Sequence, residues 1–125
     1  MRTRESEEMY LETIYLLTKK RAHVRSIDVA EELGYSRPSV SRAVNLLQSK
    51  GYIEIAKSGE ILLSDLGRER ANDIYERHRL ITEILVKLGV SEEVAEENAC
   101  KIEHVITPDL FDFLKKYSEN KRIIQ

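Results

Sequence analysis

Ser26-Ile27-Asp28-Val29-Ala30-Glu31-Glu32-Leu33-Gly34-Tyr35-Ser36-Arg37-Pro38-Ser39-Val40-Ser41-Arg42-Ala43-Val44-Asn45-Leu46-Leu47 carries two helical patterns separated by a single glycine. Ser26 is suited to cap a helix running to Leu33, with Asp28 favoured in its first turn. Gly34 stands where the chain must turn sharply and where a positive φ costs glycine nothing. Ser36 is suited to cap a second helix through about Ser49, with Pro38 tolerated in its first turn and Gly51 stopping it. Taking Ser26 as the first position of a helix-turn-helix, the small Ala30 falls where two helices cross closely. Val29, Leu33, Val40, Ala43, Val44 and Leu47 then face inward. The opposite face presents Ser36, Arg37, Pro38, Ser39, Ser41, Arg42 and Asn45. Apart from the proline these can hydrogen-bond phosphates or base edges, and such a face is poorly suited to burial against protein. Double-stranded DNA is the expected partner, with Arg42 and Arg37 as the leading groove contacts.

The flanking sequence extends this unit. Residues 5–18 repeat Met9, Tyr10, Ile14, Leu16 and Leu17 near helical spacing, with no Gly or Pro among them. Downstream, Tyr52-Ile53-Glu54-Ile55 and Glu60-Ile61-Leu62-Leu63 are β-prone runs around Ala56-Lys57-Ser58-Gly59, a hairpin pattern. Three helices, a hairpin and a long helix follow one another in the order of a winged helix. Lys57 at the wing tip and Arg25 ahead of the second helix are candidate phosphate contacts. Ser64 is suited to cap a long helix from Asp65, whose stripe Ala71, Ile74, His78, Ile81, Leu85, Leu88 ends at Gly89. Ser91 with Glu92 and Glu93 opens a helix to about Val105. Thr107-Pro108-Asp109 opens a last one to about Ser118, with 119–125 expected to fray. The predicted class is mainly α: a winged-helix domain over 1–64, then an all-helical domain over 65–125.

Composition narrows the function. Of 125 residues 42% are hydrophobic, enough for a core, and 34% are charged with a net charge of only −2, so DNA contact must come from local arrangement. Residues 1–80 hold 14 Lys+Arg against 13 Asp+Glu, and 81–125 hold 6 against 9, so positive charge leans toward the N-terminal part of the chain. The single cysteine, Cys100, allows no intramolecular disulfide, and no stretch has the length and apolarity of a membrane span or the layout of a signal peptide. A reducing cytoplasm is the expected setting.

The second domain carries a different chemistry. Cys100, Glu103 and His104 stand at i, i+3 and i+4, which puts a thiolate, a carboxylate and an imidazole on one side of a helix. Met9 and Glu12 are likewise three apart on the first helix. His78 interrupts the apolar stripe of the long helix, where a neutral, metal-bound imidazole is easier to bury than a charged one. Taken singly, Met9 reads as core packing, His78 as a hydrogen-bonded core histidine and Cys100 as a small hydrophobe. The weight for metal rests on the Cys-x-x-Glu-His cluster. A thiol enzyme using Cys100 and His104 lacks any Gly-rich oxyanion loop, so no catalytic activity is expected.

Glu8-Met9-Tyr10-Leu11 with Thr13-Ile14-Tyr15, the helix-turn-helix, and Cys100-Lys101-Ile102-Glu103-His104-Val105 together resemble the diphtheria toxin repressor family, along nearly the whole chain. The resemblance implies a winged-helix domain followed by a helical metal-binding and dimerisation domain, in a two-domain form without the SH3-like third domain. It implies that Met9, Cys100, Glu103 and His104 form the primary regulatory site of the iron-type members. Those members build an ancillary site from a histidine matching His78 and two further ligands. Here Thr82 and Glu96 stand at those two positions, leaving Glu96 as a substitute donor. Glu12 resembles the manganese-sensing branch, which pairs a carboxylate there with the histidine matching His78, although that branch has Asp at Met9 and Glu at Cys100. The expected function is therefore a homodimeric, Fe²⁺-dependent repressor of metal homeostasis genes, with Mn²⁺ as the alternative and other divalent ions able to substitute, acting on a palindromic operator. The competing expectation is a metal-independent winged-helix regulator whose helical domain only dimerises or binds a small organic ligand.

Overall fold

The computed structural model describes the backbone of residues 4–124 and the side chains of residues 6–119. Its elements run α1 (Arg4–Lys20), α2 (Ser26–Leu33), α3 (Arg37–Ser49), β1 (Ile53–Ile55), β2 (Ile61–Leu63), α4 (Asp65–Lys87), α5 (Glu92–Val105) and α6 (Pro108–Ile124). Two compact units divide within α4, Met1–Asp73 and Ile74–Gln125.

In the first unit α1, α2, α3 and the hairpin share one core built from Leu11, Ile14, Leu17, Val29, Val40, Val44, Leu47, Ile53 and Ile61. Every inward position of the helix-turn-helix is buried or packed against that core, with Ala30 at the crossing. Gly34 adopts φ 70° and its N–H reaches the Ala30 carbonyl at 2.8 Å, closing α2 in the left-handed turn that glycine favours. The start of α2 differs from expectation by one residue. Arg25 is the cap and Ser26 the first helical residue, because the Asp28 carboxylate accepts the Arg25 backbone N–H at 2.8 Å and takes over the capping role. At α3 the serine does cap: Ser36 Oγ accepts the Ser39 N–H at 3.3 Å.

The hairpin is antiparallel, with Ile53 opposite Leu63 and Ile55 opposite Ile61. Each strand is one residue shorter than the β-prone run in the sequence, Tyr52 and Glu60 lying outside the ladder. The Ile61 N–H adds a further bond to the Val24 carbonyl at 2.7 Å, which fastens the wing to the segment before α2. Ser64 Oγ donates to the Gly51 carbonyl at 2.6 Å and accepts the Gly67 N–H at 3.0 Å, so one hydroxyl joins the turn after α3 to the first turn of α4.

The second unit packs α5 and α6 on the later turns of α4 around Ile81, Ala99 and Ile106, with Leu85, Ile102, Phe111 and Leu114 against them. Ser91 Oγ accepts the Val94 N–H and Thr107 Oγ1 the Leu110 N–H, both at 3.3 Å, so the two helix starts are where the capping residues put them. Two expectations are corrected. Leu88 does not continue the inner stripe of α4: it lies past the helix end and is 74% exposed. The tail does not fray at residue 119: α6 continues to Ile124, with no Gly or Pro to stop it.

Candidate metal centre and nucleic-acid interface

Glu103 occupies a position on α5 that helical spacing assigns to the core, four residues after Ala99 and three before Ile106, and it is fully buried. A carboxylate withdrawn from water costs several kcal/mol unless it is compensated. His78 Nδ1 from α4 lies 2.8 Å from Glu103 Oε2, and Nε2 of the buried His104 lies 3.2 Å from Oε1. Arg77 Nη1 donates to the Glu103 main-chain carbonyl at 2.9 Å, fastening the same turn of α5 to α4. One carboxylate held between two imidazoles is a donor set that suits a divalent transition ion, since imidazole nitrogen and carboxylate oxygen are its ordinary ligands. The residues present thus fit the ion implied by the sequence.

The other candidates in this unit are placed differently. Cys100 is exposed, one turn before Glu103 on α5. Glu96 is also exposed, and it lines a cleft of about 530 Å³ together with His78, Arg79, Thr82, Glu83 and Glu92. The Thr82 hydroxyl oxygen is buried there with no hydrogen-bond partner among the described residues. His78 therefore borders both the Glu103 cluster and the cleft that holds Glu96.

Met9 and Glu12 lie on α1 in the first unit. Met9 is half-buried and its Sδ accepts the Tyr35 hydroxyl at 3.8 Å, while Glu12 is buried. Just upstream, the sequence reading missed an ionic group in which two buried carboxylates meet part-exposed cations. Glu7 meets Lys50 at 2.6 Å, Glu8 meets Arg70 at 3.6 Å, and Arg70 donates to the Tyr52 hydroxyl at 2.6 Å while lying over its ring. Its signal was available: Glu8 precedes Leu11 by three and therefore falls on the buried stripe of α1.

On the first unit's outer face Arg37, Ser36, Pro38, Ser41, Arg42 and Asn45 are exposed and Ser39 is half-buried beneath Arg42, whose Nη2 approaches its hydroxyl at 3.4 Å. Lys57 is exposed in the hairpin turn, Ala56 N–H to Glu60 carbonyl closing it at 2.9 Å. The exposed Arg25 lies against Gly59 of the same turn, and both border a crevice of about 380 Å³ with Ser26, Ser41, Asn45 and Ile55. The helix α3 and the hairpin thus border one crevice, whose floor also includes Ile27 and Val44.

Two family models match the chain: residues 2–61 match the iron dependent repressor N-terminal DNA binding domain, and 64–122 match the iron dependent repressor metal binding and dimerisation domain. The transcriptional regulator MntR of Escherichia coli O6:H1 is 30% identical over 116 residues, covering 93% of this chain and 75% of that protein. The iron-dependent repressor IdeR of Mycobacterium bovis is 32% identical over 117 residues, covering 93% of this chain and 51% of its own length. The X-ray structure of the metal-dependent transcriptional regulator MtsR superimposes with a TM-score of 0.83 at 30% identity, covering 90% of this chain and 53% of that one. The chain thus spans about half the length of the solved regulator and three quarters of MntR.

Proposed function

Since this chain belongs to the iron-dependent repressor family in both of its parts, we propose that it represses transcription as a homodimer whose affinity for a palindromic DNA operator is set by divalent metal, Fe²⁺ before Mn²⁺. The observation that carries the metal reading is Glu103, a fully buried carboxylate flanked by His78 and His104. When bound, the ion supplies positive charge that compensates Glu103 and fixed directions for its ligands. His78, Glu103 and His104 hold it, with Met9, Glu12, Glu96 and Cys100 as the remaining donors of a first or second site. The sulfur donors favour Fe²⁺ over Mn²⁺.

Arg42 and Arg37 read the groove, Ser36, Ser39 and Ser41 with Pro38 set the first turns of α3 on the backbone, and Arg25 and Lys57 take phosphates. A twofold dimer presents its two reading helices about 34 Å apart, one DNA turn. Side chains that fix the arrangement of that dimer raise operator affinity only in the arrangement they favour. Among the described residues no helix is long and apolar enough to cross a membrane, which agrees with the cytoplasmic setting proposed here. The test is an anaerobic titration of Fe²⁺ and of Mn²⁺ against binding to a duplex enriched from a random pool, with a chelator control. DNA affinity indifferent to either ion and to the chelator would establish the metal-independent regulator instead.

A further inference from the structure

We infer that Tyr35 is a positioning residue that couples Met9 to the start of the recognition helix α3. The backbone of Tyr35 is held on both sides: Gly34 before it closes α2 at φ 70°, and Ser36 after it is the cap of α3. Its own N–H donates to the Ala30 carbonyl at 3.2 Å. The side chain is 45% exposed, so nothing about burial forces it into contact with α1. It nevertheless takes two holds there. Its ring meets the Tyr10 ring edge-on with centroids 6.2 Å apart and planes at 62°, and its hydroxyl donates to Met9 Sδ at 3.8 Å.

These holds have different characters. Tyr10 is 1% exposed and belongs to the rigid core, so the edge-on contact is a fixed pivot. Met9 is unbranched, with several rotatable bonds, and its sulfur moves when the side chain changes rotamer. A phenol half in water has strong acceptors at hand, so donation to a thioether reflects placement by the backbone on either side. Thioether sulfur keeps two lone pairs, one for the phenol and one for a cation. Fixing Sδ therefore fixes the hydroxyl of the residue that adjoins the α3 cap, and with it the first turn carrying Ser36, Arg37 and Ser39. Tyr35→Phe separates the two holds, keeping the ring on Tyr10 and removing only the link to sulfur.

The inference rests on Met9 being a ligand in the proposed metal-dependent repressor, and the experiment distinguishes the two. Wild-type protein and Tyr35→Phe are compared for binding to the duplex that wild type enriches from a random pool, without metal and with anaerobic Fe²⁺. Fe²⁺ affinity without DNA is measured by calorimetry, and thermal midpoints are taken without metal. The expected result is an unchanged midpoint, unchanged metal-free DNA affinity and unchanged Fe²⁺ affinity, with the gain in DNA affinity on adding Fe²⁺ reduced about fivefold. A gain equal to that of wild type overturns the coupling and leaves the repressor reading intact, as does an equal loss of DNA affinity with and without Fe²⁺, which makes Tyr35 a DNA contact. A wild-type protein showing no gain with Fe²⁺ ends both.

Discussion

His78 and Glu103 stand 25 residues apart in sequence and 2.8 Å apart in space, one on α4 and one on α5, and the carboxylate between them and His104 has no exposure to solvent. Glu103→Gln keeps the shape of that side chain and removes its charge. The metal-free variant is expected to keep the wild-type circular dichroism spectrum, because the amide matches the carboxylate in volume. Its Fe²⁺ affinity, read by anaerobic calorimetry, should fall by at least about 100-fold, because even partners outside the ligand shell cost 10–100-fold. Unchanged affinity would remove Glu103 from the site.

Ion binding to the folded state alone must also raise stability. At a free Fe²⁺ or Mn²⁺ concentration about 100 times the dissociation constant, the folded state gains about 2.7 kcal/mol. A calorimetric scan should therefore show a midpoint that climbs with metal and returns on adding chelator. A midpoint insensitive to both ions, in protein shown to be folded, would mean that the His78, Glu103 and His104 group is satisfied without a cation.

How far this was legible in the sequence depended on whether a feature was local. The helix-turn-helix was readable because Ala30, Gly34, Ser36 and Val40 are specified by spacing within one short segment. That Glu103 and His104 share one side of α5 was readable for the same reason. The pairing of His78 with Glu103, the Tyr35 contact with Met9 and the Glu8 to Arg70 bridge join residues remote in sequence, which periodicity cannot bring together. The cap of α2 was misplaced by one residue because Ser26 and Arg25 compete for it, and Asp28 settles the contest through a main-chain bond that composition does not reveal.

Gly67 lies in the first turn of α4, and a Cβ there would overlap the backbone carbonyl of Tyr52. Backbone cannot swing aside as a side chain can. Gly67→Ala, despite alanine's better helix propensity of about 1 kcal/mol, is expected to destabilise the first unit by about 1–3 kcal/mol. Denaturant unfolding checks the sign, which propensity alone would give as stabilising. DNA affinity should fall too, because Tyr52 leads directly into β1 of the wing.

Arg42 and Lys57 offer the last contrast, since both are exposed cations on the proposed DNA face but sit in different geometry. Arg42 projects from the second turn of α3 beside Ser39, on the helix that enters the groove in this fold, and a guanidinium there can grip a guanine edge with two bonds. Lys57 sits in the turn of a hairpin, where a phosphate is the accessible acceptor. Arg42→Ala should thus cost about 1–3 kcal/mol on the enriched duplex and little on random DNA, whereas Lys57→Ala should weaken both alike. The salt dependence separates them independently: losing one phosphate contact lowers the slope of log affinity against log salt by about 1. Lys57→Ala should show that change, and Arg42→Ala should show it only if the arginine is bound to backbone rather than base. Equal losses on both duplexes for Arg42→Ala, with the lower slope, would reassign it as a phosphate contact and leave Arg37 as the principal reader.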